Sequence, residues 1–161
     1  MIRSVVPSDA AAICEIYNYY VLNTHTNFEE EAVSVQEMSE RITSITKKHP
    51  WLVYEENGKL MGYAYASDWK SRCSYRYSVE SSVYLAHGTQ GKGIGSKLYE
   101  ALLEKISGLE IHAVIGGIAQ PNEASIALHE KFGFEKVAHF KEVGYKFNKW
   151  IDVGYWEKIL K

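Results

Sequence analysis

The sequence predicts a mixed α/β (α+β) fold in a single domain spanning residues 1–161, on three observations. The length suits one core and leaves little room for a second. Residue periodicity gives the order β-α-α-β-β-β-α-β-α-β-β, an antiparallel front half followed by βαβαβ. A glycine-rich segment, Gln90-Gly91-Lys92-Gly93-Ile94-Gly95, falls where a strand passes into a helix.

Residues 2–6 read as a short strand that Pro7 ends. Ser8 or Asp9 then caps a helix carrying Ile13, Ile16, Tyr17, Tyr20 and Val21 at helical spacing. A polar loop, residues 24–32, holds Asn27 and Phe28 at its centre, and Ser34-Val35-Gln36-Glu37 is a capping box opening a second helix. Strands at 51–54 and 60–66 flank Asn57-Gly58, a strong hairpin signal. A polar loop at 67–74 leads to a strand near 77–86, the glycine segment, and a helix with Ile94, Leu98, Ala101, Leu102 and Ile106 on one stripe. Residues 111–118 form a buried strand in which Gly116 and Gly117 mark a bend or a close backbone approach. A helix at 122–132 stops at Gly133, with Ala124, Leu128 and Phe132 expected to face the core. Residues 136–160 alternate into two strands around Asn148-Lys149.

A formal net charge of −2 gives no sign of a general nucleic-acid or membrane-surface binder, although a local basic patch can hide inside that average. Cys14 and Cys73 make no disulfide framework, no basic-then-apolar leader is present, and no run approaches the roughly 20 apolar residues of a membrane span. The expected compartment is the cytoplasm. The aromatic content, 12 Tyr and 4 Trp, suits core packing, subunit interfaces or a pocket wall.

Glycines between strand and helix let backbone N–H groups approach an anion at the helix N-terminus. No GxxxxGK[ST] phosphate loop is present. A dinucleotide fingerprint needs GxGxxG early in the chain with an acid ending the next strand, whereas this segment is late, reads GxGxG, and is followed by Ile118-Ala119-Gln120.

The pattern Gln90-x-x-Gly93-x-Gly95 resembles the cofactor loop of the GNAT superfamily of N-acetyltransferases, and Asn122-x-x-Ser125-x-x-x-His129-x-x-x-Gly133-Phe134 resembles its second cofactor motif. Many members carry tyrosine where this chain has His129. Thr26-Asn27-Phe28, His49-Pro50-Trp51, Trp69-Lys70-Ser71-Arg72, Val79-Glu80-Ser81-Ser82 and Gly144-Tyr145-Lys146 are similar to the phosphinothricin and methionine-sulfoximine acetyltransferase branch. The resemblance implies an acyl-CoA N-acyltransferase fold, a mostly antiparallel central sheet flanked by about four helices. It also implies acetyl-CoA as co-substrate, no metal, a small-molecule amine as acceptor, and a homodimer.

Attack of an amine on an acetyl thioester needs a proton acceptor, a stabilised oxyanion and a proton for the departing thiolate. By resemblance Glu80 is the acceptor, directly or through water, and His129 the acid. His129 has two further readings, as holder of the substrate's acidic group or as the base itself. Val83, Tyr84 and Leu85 would face the pantetheine arm, with the oxyanion met by backbone N–H groups near Tyr84 and Leu85. Gln90, Gly91, Lys92, Gly93, Ile94, Gly95, Ser96, Asn122 and Ser125 would hold the rest of the cofactor. Asn27, Phe28, Lys70, Arg72, Tyr75, Ser82, Tyr84 and Val153 would line the acceptor site, Arg72 as a bidentate clamp for a carboxylate or phosphinate. Lys70 and Arg72 are also readable as a solvated loop. Two other functions stay open: acetylation of a protein terminus, polyamine or aminoglycoside, and a non-catalytic CoA-binding sensor. Lys70-x-Arg72 argues against a cationic acceptor.

Overall fold

The computed structural model describes residues 1–161. Seven strands form one sheet in the order β1-β2-β3-β4-β5-β7-β6. These are β1 (Ile2–Ser4), β2 (Trp51–Glu56), β3 (Lys59–Asp68), β4 (Ser78–Leu85), β5 (Ala113–Ala119), β6 (Glu135–Lys146) and β7 (Lys149–Ile159). The helices are α1 (Ala10–Asn23), α2 (Val35–Thr46), α3 (Ile94–Ser107) and α4 (Glu123–Lys131). The β4–β5 pair is parallel, while β1–β2, β2–β3, β5–β7 and β6–β7 are antiparallel. This mostly antiparallel sheet with four helices is the architecture expected, in the order expected.

The chain divides into two compact units. The first comprises Met1–Tyr19, Val33–Ser67 and Ser81–Glu110, and the second Tyr20–Ala32, Asp68–Glu80 and Ile111–Lys161. The division falls inside β4, after Glu80.

In the first unit the 2–3 hairpin turns on Asn57 and Gly58, whose φ values of 53° and 76° suit the twist of the flanking strands. Ser34 caps α2 by accepting from Glu37 N at 3.1 Å. The α3 stripe, with Leu98, Tyr99, Leu102 and Ile106 fully buried, packs on β2. Tyr99 shares a 2.5 Å hydrogen bond with Ser81 Oγ, which satisfies two buried hydroxyls together. Instead of capping a helix directly, Asp9 closes a 3₁₀ turn (Pro7–Asp9) by accepting from Val6 N at 2.8 Å. Arg3 donates to both Asp9 oxygens at 2.8 and 2.9 Å and to Glu55 at 2.7 Å, tying β1, this turn and β2 together.

In the second unit β5 pairs with β7 along its whole length. Trp156, almost fully buried, donates through Nε1 to Glu130 at 3.2 Å, and Lys158 Nζ donates to the Phe132 carbonyl at 2.5 Å. These bonds anchor the C-terminal end of α4. The faces of α4 differ from expectation. Ala124 is exposed and Leu128 half-buried, whereas His129 is the buried residue of this helix. β6 also carries a bulge between Phe140 and Gly144. There Glu142 takes a φ of 53° and its N–H donates to Asp152 Oδ1 at 2.8 Å. Cys14 is buried and Cys73 exposed, and both are free thiols. No helix is long and apolar enough to cross a membrane.

Candidate active site

Glycine shapes the turn from β4 into α3. Gly91 and Gly93 have φ of 82° and 77°, a conformation that costs an L-residue roughly 1–2 kcal/mol. Thr89 steadies the turn by donating its hydroxyl to the Ala86 carbonyl at 2.6 Å, and Gln90 Oε1 accepts from Gly88 N at 3.0 Å. Gly93 is the N-cap of α3 and supplies no side-chain cap. By contrast Ser34 caps α2, and Asn122 caps α4 by accepting from Ser125 N at 3.1 Å. The first turn of a helix leaves N–H groups without intrahelical acceptors, and its dipole adds partial positive charge. Ile94, Gly95 and Ser96 supply that first turn, beside the cationic Lys92 and Lys97. A Cβ on Gly91 or Gly93 would meet nothing within 4 Å, so both glycines face open space. The turn fits an anionic phosphate group.

The parallel ladder between β4 and β5 runs Ser78↔Ala113, Val79↔Val114 and Glu80↔Ile115, and ends there. β4 continues for five more residues, Ser81, Ser82, Val83, Tyr84 and Leu85. In the first unit the Tyr84 ring lies 5.4 Å from that of Tyr63 and 5.4 Å from that of Tyr17.

Glu80 is the last residue of that ladder and lies in the second unit. Its carboxylate borders Gly117: a Cβ added there would stand 3.4 Å from Glu80 Oε2 and 3.0 Å from Tyr155 Cε1. Burial raises the Glu80 pKa above the ordinary carboxylate range, and the positive charge of Lys70 opposes the shift. The Tyr155 phenol is raised too, by burial and then by Glu80, so it stays protonated. Trp69 and Phe140 meet the Tyr155 ring edge-on at 5.6 and 5.7 Å, and Lys70 Nζ lies 4.9 Å from the Trp69 ring centroid. One carboxylate with a raised pKa, one ammonium and three aromatic rings thus gather on one side of β5.

His129 is on the other side. Successive residues of a strand face opposite ways, and a Cβ on Gly116 would overlap the His129 ring. The ring is 4% exposed and meets Phe134 edge-on at 5.2 Å. Nδ1 lies 2.7 Å from the Ser125 carbonyl, which can only accept, so Nδ1 carries the proton. Burial holds the imidazole below its usual pKa, the Ser125 bond opposing. The ring is therefore neutral near pH 7, with Nε2 a proton acceptor. An acid role would need a second proton on Nε2, a form that burial disfavours. β5 separates the two expected catalytic groups, Glu80 and His129.

The remaining expected residues scatter. Arg72 stands exposed at the start of a short 3₁₀ turn (Cys73–Tyr75) with Tyr75, which is 47% exposed, and Lys70 is the cation whose field reaches Glu80. Val153 is buried, paired with Ala119 and Phe140. Asn27 and Phe28 lie against β6. Tyr155 and Gly117 join the site although the sequence reading gave them no catalytic setting. Their only sequence signal is the glycine pair in a strand and the alternation of the tail.

A family model described as an acetyltransferase (GNAT) domain matches residues 2–154. The phosphinothricin N-acetyltransferase of Streptomyces viridochromogenes is 38% identical over 157 residues, covering 98% of this chain and 86% of that protein. An L-methionine sulfoximine/L-methionine sulfone acetyltransferase of Salmonella typhimurium is 38% identical over 163 residues, covering 99% and 94%. Among solved structures, a GNAT-superfamily phosphinothricin acetyltransferase from Sinorhizobium meliloti, in complex with acetyl-CoA, superposes with a TM-score of 0.96 at 37% identity, covering 99% of this chain and 88% of that one.

Proposed function

The chain belongs to the GNAT family of acetyltransferases, and from that premise we propose an acetyl-CoA-dependent N-acetyltransferase whose acceptor is the primary amine of a small amino-acid analogue, of the phosphinothricin, methionine sulfoximine or methionine sulfone type. The observation that carries this reading is Glu80: a half-buried carboxylate beside Tyr155 and within the field of Lys70. The relatives named for those substrates support it.

The thioester of acetyl-CoA supplies an activated acetyl group. Gln90, Gly91, Lys92, Gly93, Ile94, Gly95 and Ser96 hold its pyrophosphate at the uncapped start of α3, and the backbone of Val83, Tyr84 and Leu85 holds its pantetheine arm. Ser125 and Asn122 border the cofactor, the Asn122 Oδ1 being already engaged as a cap. An amine arrives mostly as its ammonium ion near neutral pH, so Glu80 takes a proton from it, directly or through water. A raised pKa makes Glu80 a stronger base than a solvated glutamate. Lys70 meets the anionic group of the acceptor, a role that Arg72, exposed nearby in sequence, reinforces. The same ammonium disfavours polyamines and aminoglycosides. As the C–S bond breaks, the proton that the attacking nitrogen loses passes to the departing CoA thiolate, directly or through water, while His129 stays neutral.

The 161 residues act as one N-acetyltransferase domain in the cytoplasm, as a homodimer. Val137, Phe140, Val143, Tyr145, Phe147 and Trp150, all exposed on the β6–β7 hairpin, support the dimer. Thiol release from acetyl-CoA, measured across phosphinothricin, methionine sulfoximine, methionine sulfone, polyamines and peptides, tests the substrate class. Acceleration by the first three is expected. Binding of acetyl-CoA with no acceleration by any of those three would refute it.

A further inference from the structure

Residues 24–34 contain no helix or strand, so the position of Phe28 depends on a few side-chain contacts. At the start of the segment Thr24 donates its hydroxyl to the Tyr20 carbonyl at 2.8 Å and accepts from Thr26 N at 3.2 Å. Its middle is held by β6. Lys146, the last residue of that strand, is 1% exposed. A buried ammonium ordinarily needs a paired carboxylate, yet Nζ donates to Asn27 alone in its hydrogen bonds, to the backbone carbonyl at 3.0 Å and to Oδ1 at 3.4 Å. Burial lowers its pKa, while Glu30 and Glu29 act through space to raise it. The Phe147 ring centroid lies 5.2 Å from Nζ.

Gly144 stands two residues earlier, on the same face of β6. A side chain there would overlap the Phe28 ring. One face of the strand therefore offers a donor for Asn27 and a hollow for Phe28. Lysine only donates, so its bond to Oδ1 fixes the Asn27 amide with Nδ2 as the remaining donor. That Nδ2 is buried and unpaired.

We propose that Lys146 is a positioning residue for acceptor binding: with Gly144 it fixes the Asn27–Phe28 turn and so sets the Phe28 ring where the incoming amine's side chain would meet it. The proposal rests on the reading that Asn27 and Phe28 line the amine site. Lys146 touches no reacting atom. Its effect belongs in KM for the amine.

Lys146→Met keeps the stem and removes the charge; Gly144→Ala keeps the charge and displaces the ring. Hydrogen exchange over residues 24–32 is read without substrate, beside KM and kcat for the amine and the Kd of acetyl-CoA. Lys146→Met is expected to speed exchange in this segment and to raise KM about tenfold with kcat within about threefold, acetyl-CoA affinity being unchanged. Gly144→Ala is expected to raise KM similarly. Wild-type exchange rates in Lys146→Met would overturn the proposal, as would faster exchange with an unchanged KM. If Lys146→Met does not fold, an unchanged KM in folded Gly144→Ala overturns it instead. A wild-type protein that acetylates only larger or cationic amines would refute the substrate class, and exchange together with KM for those amines would still decide the role of Lys146.

Discussion

The imidazole of His129 lies where a side chain on Gly116 would stand. Gly116→Ala should therefore expel the ring and break the bond from Nδ1 to the Ser125 carbonyl. Overpacking of this kind costs about 1–3 kcal/mol. Denaturant unfolding should show a loss in that range. Unchanged stability would mean that the ring moves freely, and that the glycine is not there to admit it.

On the opposite side, Gly117 gives Glu80 and Tyr155 their space. An alanine Cβ would stand 3.0 Å from Tyr155 Cε1, tighter than ordinary contact, so the phenol must shift by a few tenths of an ångström. We expect Gly117→Ala to lower kcat/KM for the amine, and Gly117→Val to lower it further, with acetyl-CoA affinity preserved. Equal kcat/KM in all three proteins would remove this position from the acceptor site.

Gly93 has no neighbour that a methyl group would strike, so its substitution isolates backbone conformation. Gly93→Ala at a φ of 77° should cost roughly 1–2 kcal/mol, as strain or as a relaxed turn that no longer presents its N–H groups. Calorimetric titration is expected to show acetyl-CoA affinity reduced about tenfold, the equivalent of 1.4 kcal/mol. An unchanged Kd with unchanged stability would separate this turn from the cofactor.

Stability toward acid should depend on Asp9. Its hydrogen bonds from Arg3 hold the carboxyl below the usual range, burial opposing and the Val6 N–H adding to the effect. The folded pKa lies below the unfolded one, so the contribution is complete above the unfolded value and is lost as pH falls through the folded value. Asp9→Asn should cost about 1.5–3 kcal/mol at pH 7, the figure for hydrogen bonds to charged groups. The difference from wild type should shrink as pH drops below 4. A pH-independent difference would assign the loss to packing.

Periodicity and turn chemistry carried most of the fold, because strands 2 and 3, the caps of α2 and the α3 stripe are each determined locally. The misreading of α4 has a clear cause. Ala124 and Leu128 look like a core face, yet the space for a large buried ring comes from Gly116, on a different element. The β6 bulge escaped for a similar reason, since Asp152 on β7 stabilises the positive φ of Glu142. Family resemblance is what singled out Glu80 and Lys70 as candidates. The pairing of Glu80 with Tyr155 across Gly117 required the register Gly117↔Tyr155, which no local pattern contains.

The central claim is that Glu80 accepts the amine's proton, and a pH profile of kcat/KM for wild type and Glu80→Gln tests it most directly. The wild-type rate should fall toward acid with an apparent pKa above the ordinary glutamate range, as burial dictates. Glu80→Gln should lose that limb and about 10²–10⁴ in rate, with acetyl-CoA affinity intact. The raised pKa also means that the native state binds this proton more tightly than the unfolded state. Stability therefore falls as pH rises through the window between the two pKa values, and Glu80→Gln should melt no lower than wild type above that window. Activity equal to wild type from pH 6 to 9 in Glu80→Gln would contradict the account.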